Sequence, residues 1–326
     1  MTASTNTVAT NADSLLNPNI FDSITTASIS SSAIIVDLSM SAWSATKSDA
    51  DAEAQVEQAN NTHGKAGKFM KDLMADNKKY KAIKSHISAT RARVNGLTMP
   101  WNNNGQRLLA LAMMALFKTE FDDRERVFWE LTDEFVADYA NAVAASAFKL
   151  GALFKRADYP SESAVRAKFA FNYAFLPVPE SGHFMVDLES TMKSELVEHF
   201  NHVSSQRVSD AMTSMWERMH GVVTKMVHKL TEQTRDGTPV NKRFHDSFLT
   251  NAEELVDVLR ACNLTHDARL TQAANDLERV VLGMDLADLK RHKDARDTTR
   301  ERLQAVLDKY SLSLPDAGAD SSDGWD

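Results

Sequence analysis

A mostly helical α+β protein, an elongated helical bundle carrying a small antiparallel sheet, is what three features of this 326-residue sequence predict. Glycine and proline are scarce, at 11 and 7 residues, and such low punctuation favours long helices over many short strands. Apolar residues recur at steps of three and four over long stretches, as they do on amphipathic helices. A few short segments alternate instead, the pattern of half-buried strands. With 43% hydrophobic residues the chain has enough apolar surface for a substantial core.

Residues 1–30, rich in Ser, Thr, Asn and Ala, read as a disordered arm. The run 33-AIIVDLSMSAW-43 places Val36, Leu38, Met40 and Ala42 on one side of a strand. Helices are expected over 50–60 and 64–95, broken near Gly64 and ended near Gly96. The segment 106-QRLLALAMMALF-117 is apolar almost all round, which predicts a buried helix. A long amphipathic helix over 120–156 follows, stopping before Pro160, with Ser161 placed to cap a short successor.

Pro177 and Pro179 forbid a helix interior, and Glu180–Gly182 makes a turn. Two short strands, 173–178 and 183–188, are therefore expected, pairing with each other or with 33–43, the proline-bearing one at an edge. From 189 to 232 apolar residues recur at helical steps, predicting one helix of about 60 Å at 1.5 Å per residue. A helix that long needs a partner along its length, within the chain or from another copy, so coiled-coil pairing is expected and a homo-oligomer with it. Helices over 245–262, 266–282 and 285–310 complete a single domain spanning 31–312, before an acidic tail over 313–326.

The net charge of −8 conceals an asymmetry. Residues 63–93 carry nine Lys or Arg against two Asp, while residues 1–62 carry one Lys against seven acids. Lys65, Lys68, Lys71, Lys78, Lys79, Lys81, Lys84, Arg91 and Arg93 form this basic island. Clustered cations release counterions from phosphates, so the island is the candidate nucleic-acid surface. The competing reading is a solvated helix face, or one that pairs with the acidic segment beside it.

Glu195, His199 and His202 share one helical face at i, i+4 and i+7 and are candidate metal ligands. No HExxH order and no second carboxylate–histidine motif accompanies them, and a plain polar stripe is the alternative. The sequence has no GxSxG, GxxxxGK[ST] or GxGxxG, so it offers no catalytic residue and implies no cofactor. The single cysteine, Cys262, falls at helical steps from Leu255, Val258 and Leu259 and reads as a buried thiol. Met212, Met215, Met219 and Met226 read as core, with an adaptable partner-binding face as the alternative. No apolar run is long enough to span a membrane and no secretory leader is apparent. A soluble protein of the cytoplasm is expected.

The order of 33-AIIVDLSMSAW-43, 99-MPWNNNGQRLL-109, 150-LGALFKRADYPS-161 and 175-FLPVPESGHFMVDL-188 resembles an uncharacterised family of tailed-phage and prophage proteins, a domain of unknown function. The likeness lies in a Pro-Trp…Gly…Arg-Leu-Leu turn, a Tyr-Pro helix break and a Pro-Val-Pro edge before a long helix. It covers roughly residues 33–310 and brings no catalytic residues. Some members are encoded near MoxR-type AAA+ ATPases and von Willebrand-type metal-binding proteins. The resemblance implies a phage-encoded binding protein in the host cytoplasm, acting on nucleic acid or as an adaptor to a partner such as an AAA+ ATPase or a replication protein. It also makes Trp101 an anchor whose ring packs on the helical core, with a recognition loop as the alternative. The acidic tail with Trp325 is similar to the tails of single-strand DNA-binding proteins, which makes a binding or annealing protein one alternative. A metal-dependent nucleic-acid enzyme is the other.

Overall fold

In the computed structural model, residues 29–65, 67–180, 190–231, 234–235, 238–239 and 244–311 are described. The expected strand at 183–188, the arm before residue 29 and the acidic tail lie outside them. The fold is mostly helical with a small antiparallel sheet. In chain order the strands are β1 (Ala33–Ser41), β2 (Thr46–Ser48), β3 (Met70–Asp72), β4 (Met99–Pro100), β5 (Arg107–Ala110), β6 (Ala170–Leu176), β7 (Thr234–Arg235) and β8 (Thr238–Pro239). The α-helices are α1 (Ala50–Ala59), α2 (Lys78–Leu97), α3 (Met114–Ala137), α4 (Tyr139–Leu150), α5 (Glu162–Arg166), α6 (Ser190–Leu230), α7 (Ser247–Ala261), α8 (Ala268–Leu282), α9 (Leu286–Arg291) and α10 (Lys293–Lys309).

The sheet runs β4-β5-β1-β6, all antiparallel. Its centre is β1, which pairs with β5 from Ala33↔Ala110 to Val36↔Arg107 and with β6 from Ile35↔Leu176 to Ser41↔Ala170. β6 lies at an edge and ends one residue before Pro177, where the missing N–H would interrupt a ladder.

Four expectations for helix are corrected, two by strand pairing and two because the helix divides. Residues 107–110 form β5 rather than a helix. Leu108, Leu109 and Ala110 are all buried, and a short, wholly apolar run suits a strand covered on both faces as well as a core helix. Asn102 accepts bonds from the N–H groups of Asn104 and Gln106, at 3.0 and 3.2 Å. Gly105, with φ +90°, closes the hairpin onto β4. Residues 67–77 are not helical either, because 70–72 pair with β2 as β3. The segment 120–156 divides at Asp138 into α3 and α4, and Gly151, with φ +52°, ends α4. The helix expected over 285–310 breaks at His292, whose backbone is extended. Ser161 does cap α5, accepting from Ala164 N–H at 3.3 Å.

α6 has 41 residues. It packs on α10, α7 and β4, through Val208, Met212, Met215, Met219, Val223 and Met226, all buried. The methionine stripe is core. Toward the start of α6, Met192 and Leu196 are exposed. An aromatic cluster of Trp43, Tyr80, Phe135, Tyr139 and Phe169 joins β1's exit to α2, α3 and α4. Tyr80 Oη fixes that junction by donating to Trp43 O at 2.5 Å. Trp101 is 3% exposed, and its ring lies beneath the Arg207 guanidinium at 5.5 Å. That is where the large ring beside an Asn-rich turn goes: down into the core, with the asparagines left to shape the turn.

Candidate functional site

The basic island is divided by the fold. Lys71, on β3, does not face solvent: its side chain is 1% exposed and lies 2.7 Å from Asp49 Oδ2 and 2.6 Å from Asp158 Oδ2. It also donates to Leu153 O at 3.1 Å. Burial opposes its charge, but the hydrogen bonds to Asp158 and Asp49 outweigh that and raise its pKa. Lys71 in turn brings the Asp49 carboxyl down to about 2, helped by the bond from Ala52 N–H. Asp49 is the N-cap of α1, so one ion network ties α1, β3 and the 153–158 segment together. Alternation in a short strand placed Lys71 inward, and the helical reading of 64–95 concealed it.

Six of the remaining island cations stand on α2. Lys79 pairs with Asp138 at 3.1 Å, Lys81 with Asp76 at 2.7 Å, and both pairs are substantially exposed. Arg93 makes a bidentate contact with Glu120, 2.6 Å to each oxygen, and reaches Glu254 with its other nitrogen. These bonds, led by Glu120, raise its pKa further. Arg91 donates to Met40 O at 3.0 Å. Lys78 and Lys84 are exposed, and neither forms an ion pair among the described residues; Lys84 sits 5.6 Å from the Tyr80 ring centre. Lys65 and Lys68 are exposed in the loop before β3.

The first turn of α2 contains no acidic residue, and Lys78 and Lys79 stand there instead. The helix dipole makes that end positive, so cations there run against the usual preference. Asn77 N-caps the helix by accepting from Tyr80 N–H at 2.9 Å. Beyond it Lys81, Lys84, Ser88, Arg91 and Asn95 follow at steps of three and four on the exposed side, a stripe about 21 Å long.

At the other end of α2 two guanidiniums converge on its terminal carbonyls. Arg218, from α6, donates to Gly96 O at 2.6 Å, Thr98 O at 2.7 Å and Asn95 O. Arg107, from β5, donates to Thr98 Oγ1 at 3.0 Å and Thr98 O at 3.1 Å. Burial lowers both pKa values, that of Arg107 to about 10, with Arg218 adding repulsion. Neither has a carboxylate within ion-pair distance among the described residues. Sequence spacing carried no sign of either, since the two come together from separate elements. Beside Arg218 a cleft of about 380 Å³ opens between α2, α6 and α7. Arg93 enters its wall, the one island residue that does.

Comparison with protein families, curated proteins and solved structures finds no match for this chain.

Glu195, His199 and His202 lie on the exposed side of α6 near its start. Among the described residues no three His, Cys, Asp or Glu side chains are grouped as metal ligands. Cys262 is buried, and burial pushes its thiol up to about 11, which leaves it a poor nucleophile. No described helix is long and apolar enough to cross a membrane.

Proposed function

We propose that this is a binding protein without catalysis, phage-encoded as the sequence resemblance implies, which holds the phosphate backbone of single-stranded nucleic acid on the exposed face of α2. The observation that carries this reading is the placement of lysines at the positive end of α2, against its dipole. Lys78 and Lys84 contribute charge that no described carboxylate neutralises. An anion there gains from the side chains and the helix end together. Lys71 takes no part, and Lys79, Lys81 and Arg93 contribute less than their number suggests, because each already has a carboxylate partner.

The test is binding of an unlabelled-sequence oligonucleotide, such as a poly-dT strand, across a salt series. Each neutralised phosphate adds about −0.7 to the log–log slope for a single strand. Lys78→Glu with Lys84→Glu should remove most of the affinity without lowering the melting temperature, since an acid in the first turn suits the helix dipole. Salt-independent binding, or binding indifferent to these changes, refutes the reading.

A second reading, an adaptor to a partner machine such as an AAA+ ATPase, is favoured by Phe148. It projects from α4 at 92% exposure beside the exposed Ala144 and Ala145. Isolated exposed apolar residues are common on monomers, so this observation carries less. Phe148→Ser should then weaken partner capture and leave nucleic-acid binding intact.

A further inference from the structure

We infer that the cleft between α2, α6 and α7 is a binding site for a small amphipathic anion, a molecule joining an apolar or aromatic group to a phosphate or carboxylate. It lies at the opposite end of α2 from the lysines of the proposed nucleic-acid face and does not depend on that reading.

Size is the first argument. About 380 Å³ falls within the range of small-ligand pockets. Chemistry is the second. Met226, Phe248 and Leu255, all buried core residues, contribute the apolar lining, while Arg93, Arg218, Lys225 and Lys229 are its cations. The lining holds a single carboxylate, Glu254, and Arg93 already holds it, along with Glu120 on the far side. Arg218, Lys225 and Lys229 are thus left without a carboxylate within ion-pair distance among the described residues. Lys229 lies 5.7 Å from the centre of the Phe248 ring, which joins the charged and apolar parts of the site.

Arg218 supplies the third argument. Its donors are satisfied by the carbonyls that end α2, so the guanidinium is held in one position. Carbonyl dipoles satisfy its hydrogen bonds without cancelling its charge. A half-buried cation with no carboxylate in ion-pair contact projects a positive potential into the space beside it, and partial exclusion of water strengthens that potential. An anion entering the cleft meets this field together with two lysines, and its apolar part covers the floor. Neither a plain inorganic anion nor a neutral hydrophobe gains both.

The experiment is calorimetric titration of the full chain with phenyl phosphate, 3-phenylpropionate, inorganic phosphate and benzyl alcohol. One or both aromatic anions should bind with 1:1 stoichiometry, about tenfold or more tighter than inorganic phosphate and benzyl alcohol. Whichever of the two binds more tightly assigns the anionic group. Lys225→Glu with Lys229→Glu should abolish the signal, and Lys290→Glu, an exposed change on α9, should not alter it. Asn251→Trp, which fills the cleft from α7, should also abolish binding, and thermal unfolding of each variant establishes that it is folded. Lys78→Glu with Lys84→Glu should leave the titration unchanged, so that failure of the nucleic-acid reading is distinguishable. Absence of binding by both aromatic anions, equal binding of benzyl alcohol, or binding that survives the Lys225 and Lys229 changes overturns the inference.

Discussion

Lys71 is a buried cation and Arg218 a partly buried one, and they are compensated in opposite ways. Lys71 is enclosed by Asp49, Asp158 and a carbonyl, so its charge is cancelled where it stands. Arg218 is hydrogen-bonded by carbonyls, and Glu254 acts on it without an ion-pair contact, so its hydrogen bonds are made but its charge is not cancelled. The first arrangement is a tie between segments distant in sequence. The second leaves a field that points into a cleft. A buried cation in contact with its counter-ions therefore reads as structural, and a half-buried one without such a contact as a reason to look for a ligand.

Breaking the tie at Lys71 should produce the largest effect. Lys71→Met removes the cation and leaves two carboxylates facing each other. The expected loss is about 3 kcal/mol of unfolding free energy, measured by denaturant titration. Adding Asp158→Asn should recover part of it. A loss no larger than that of a surface lysine would mean that the network is not stabilising.

Arg218→Met should cost less, about 1–2 kcal/mol, because no carboxylate is stranded and only the α2 carbonyls lose donors. Its distinguishing mark is elsewhere: binding of aromatic anions in the cleft should disappear while the fold persists. If Arg218→Met destabilises more than Lys71→Met, the contrast between the two cations fails.

The smallest expected effect is a pH dependence. Asp49 titrates near 2 in the folded protein, below its ordinary value of 3.8. A depressed carboxyl contributes stability that is present above the ordinary value and lost as pH falls through the folded one. The stability difference between the native chain and Asp49→Asn should accordingly be constant near neutrality and shrink between about pH 4 and pH 2. Because the Lys71 pKa is raised, its contribution is present below the ordinary lysine value and lost only as pH rises through the folded one. A difference that stays constant on acidification would show that the Asp49 charge is not what matters.

Much of the architecture follows from local pattern. Steps of three and four over some forty residues demand a helix, and α6 is one from Ser190 to Leu230. Alternation in 33–43 demands a strand, and Pro177 marks where its edge neighbour stops. Ser161 caps α5 because a hydroxyl there satisfies an otherwise unpaired N–H. These are decisions made within a few residues of chain, by periodicity, a missing donor or a capping oxygen.

Other decisions belong to partners far away in sequence. Residues 107–110 satisfy helical and strand patterns alike, and β1 and β4 on either side resolve them as a strand. A row of nine cations reads as one patch until Asp49, Asp158, Glu120 and Glu254 arrive from elsewhere and neutralise Lys71 and Arg93. The cleft beside Arg218 has no sequence signature, because its walls come from three helices. Hydrophobic period and capping chemistry are properties of a segment and are legible in it. Charge compensation and concavity are properties of an arrangement, since Coulomb energy and burial depend on distances that only the packed chain defines.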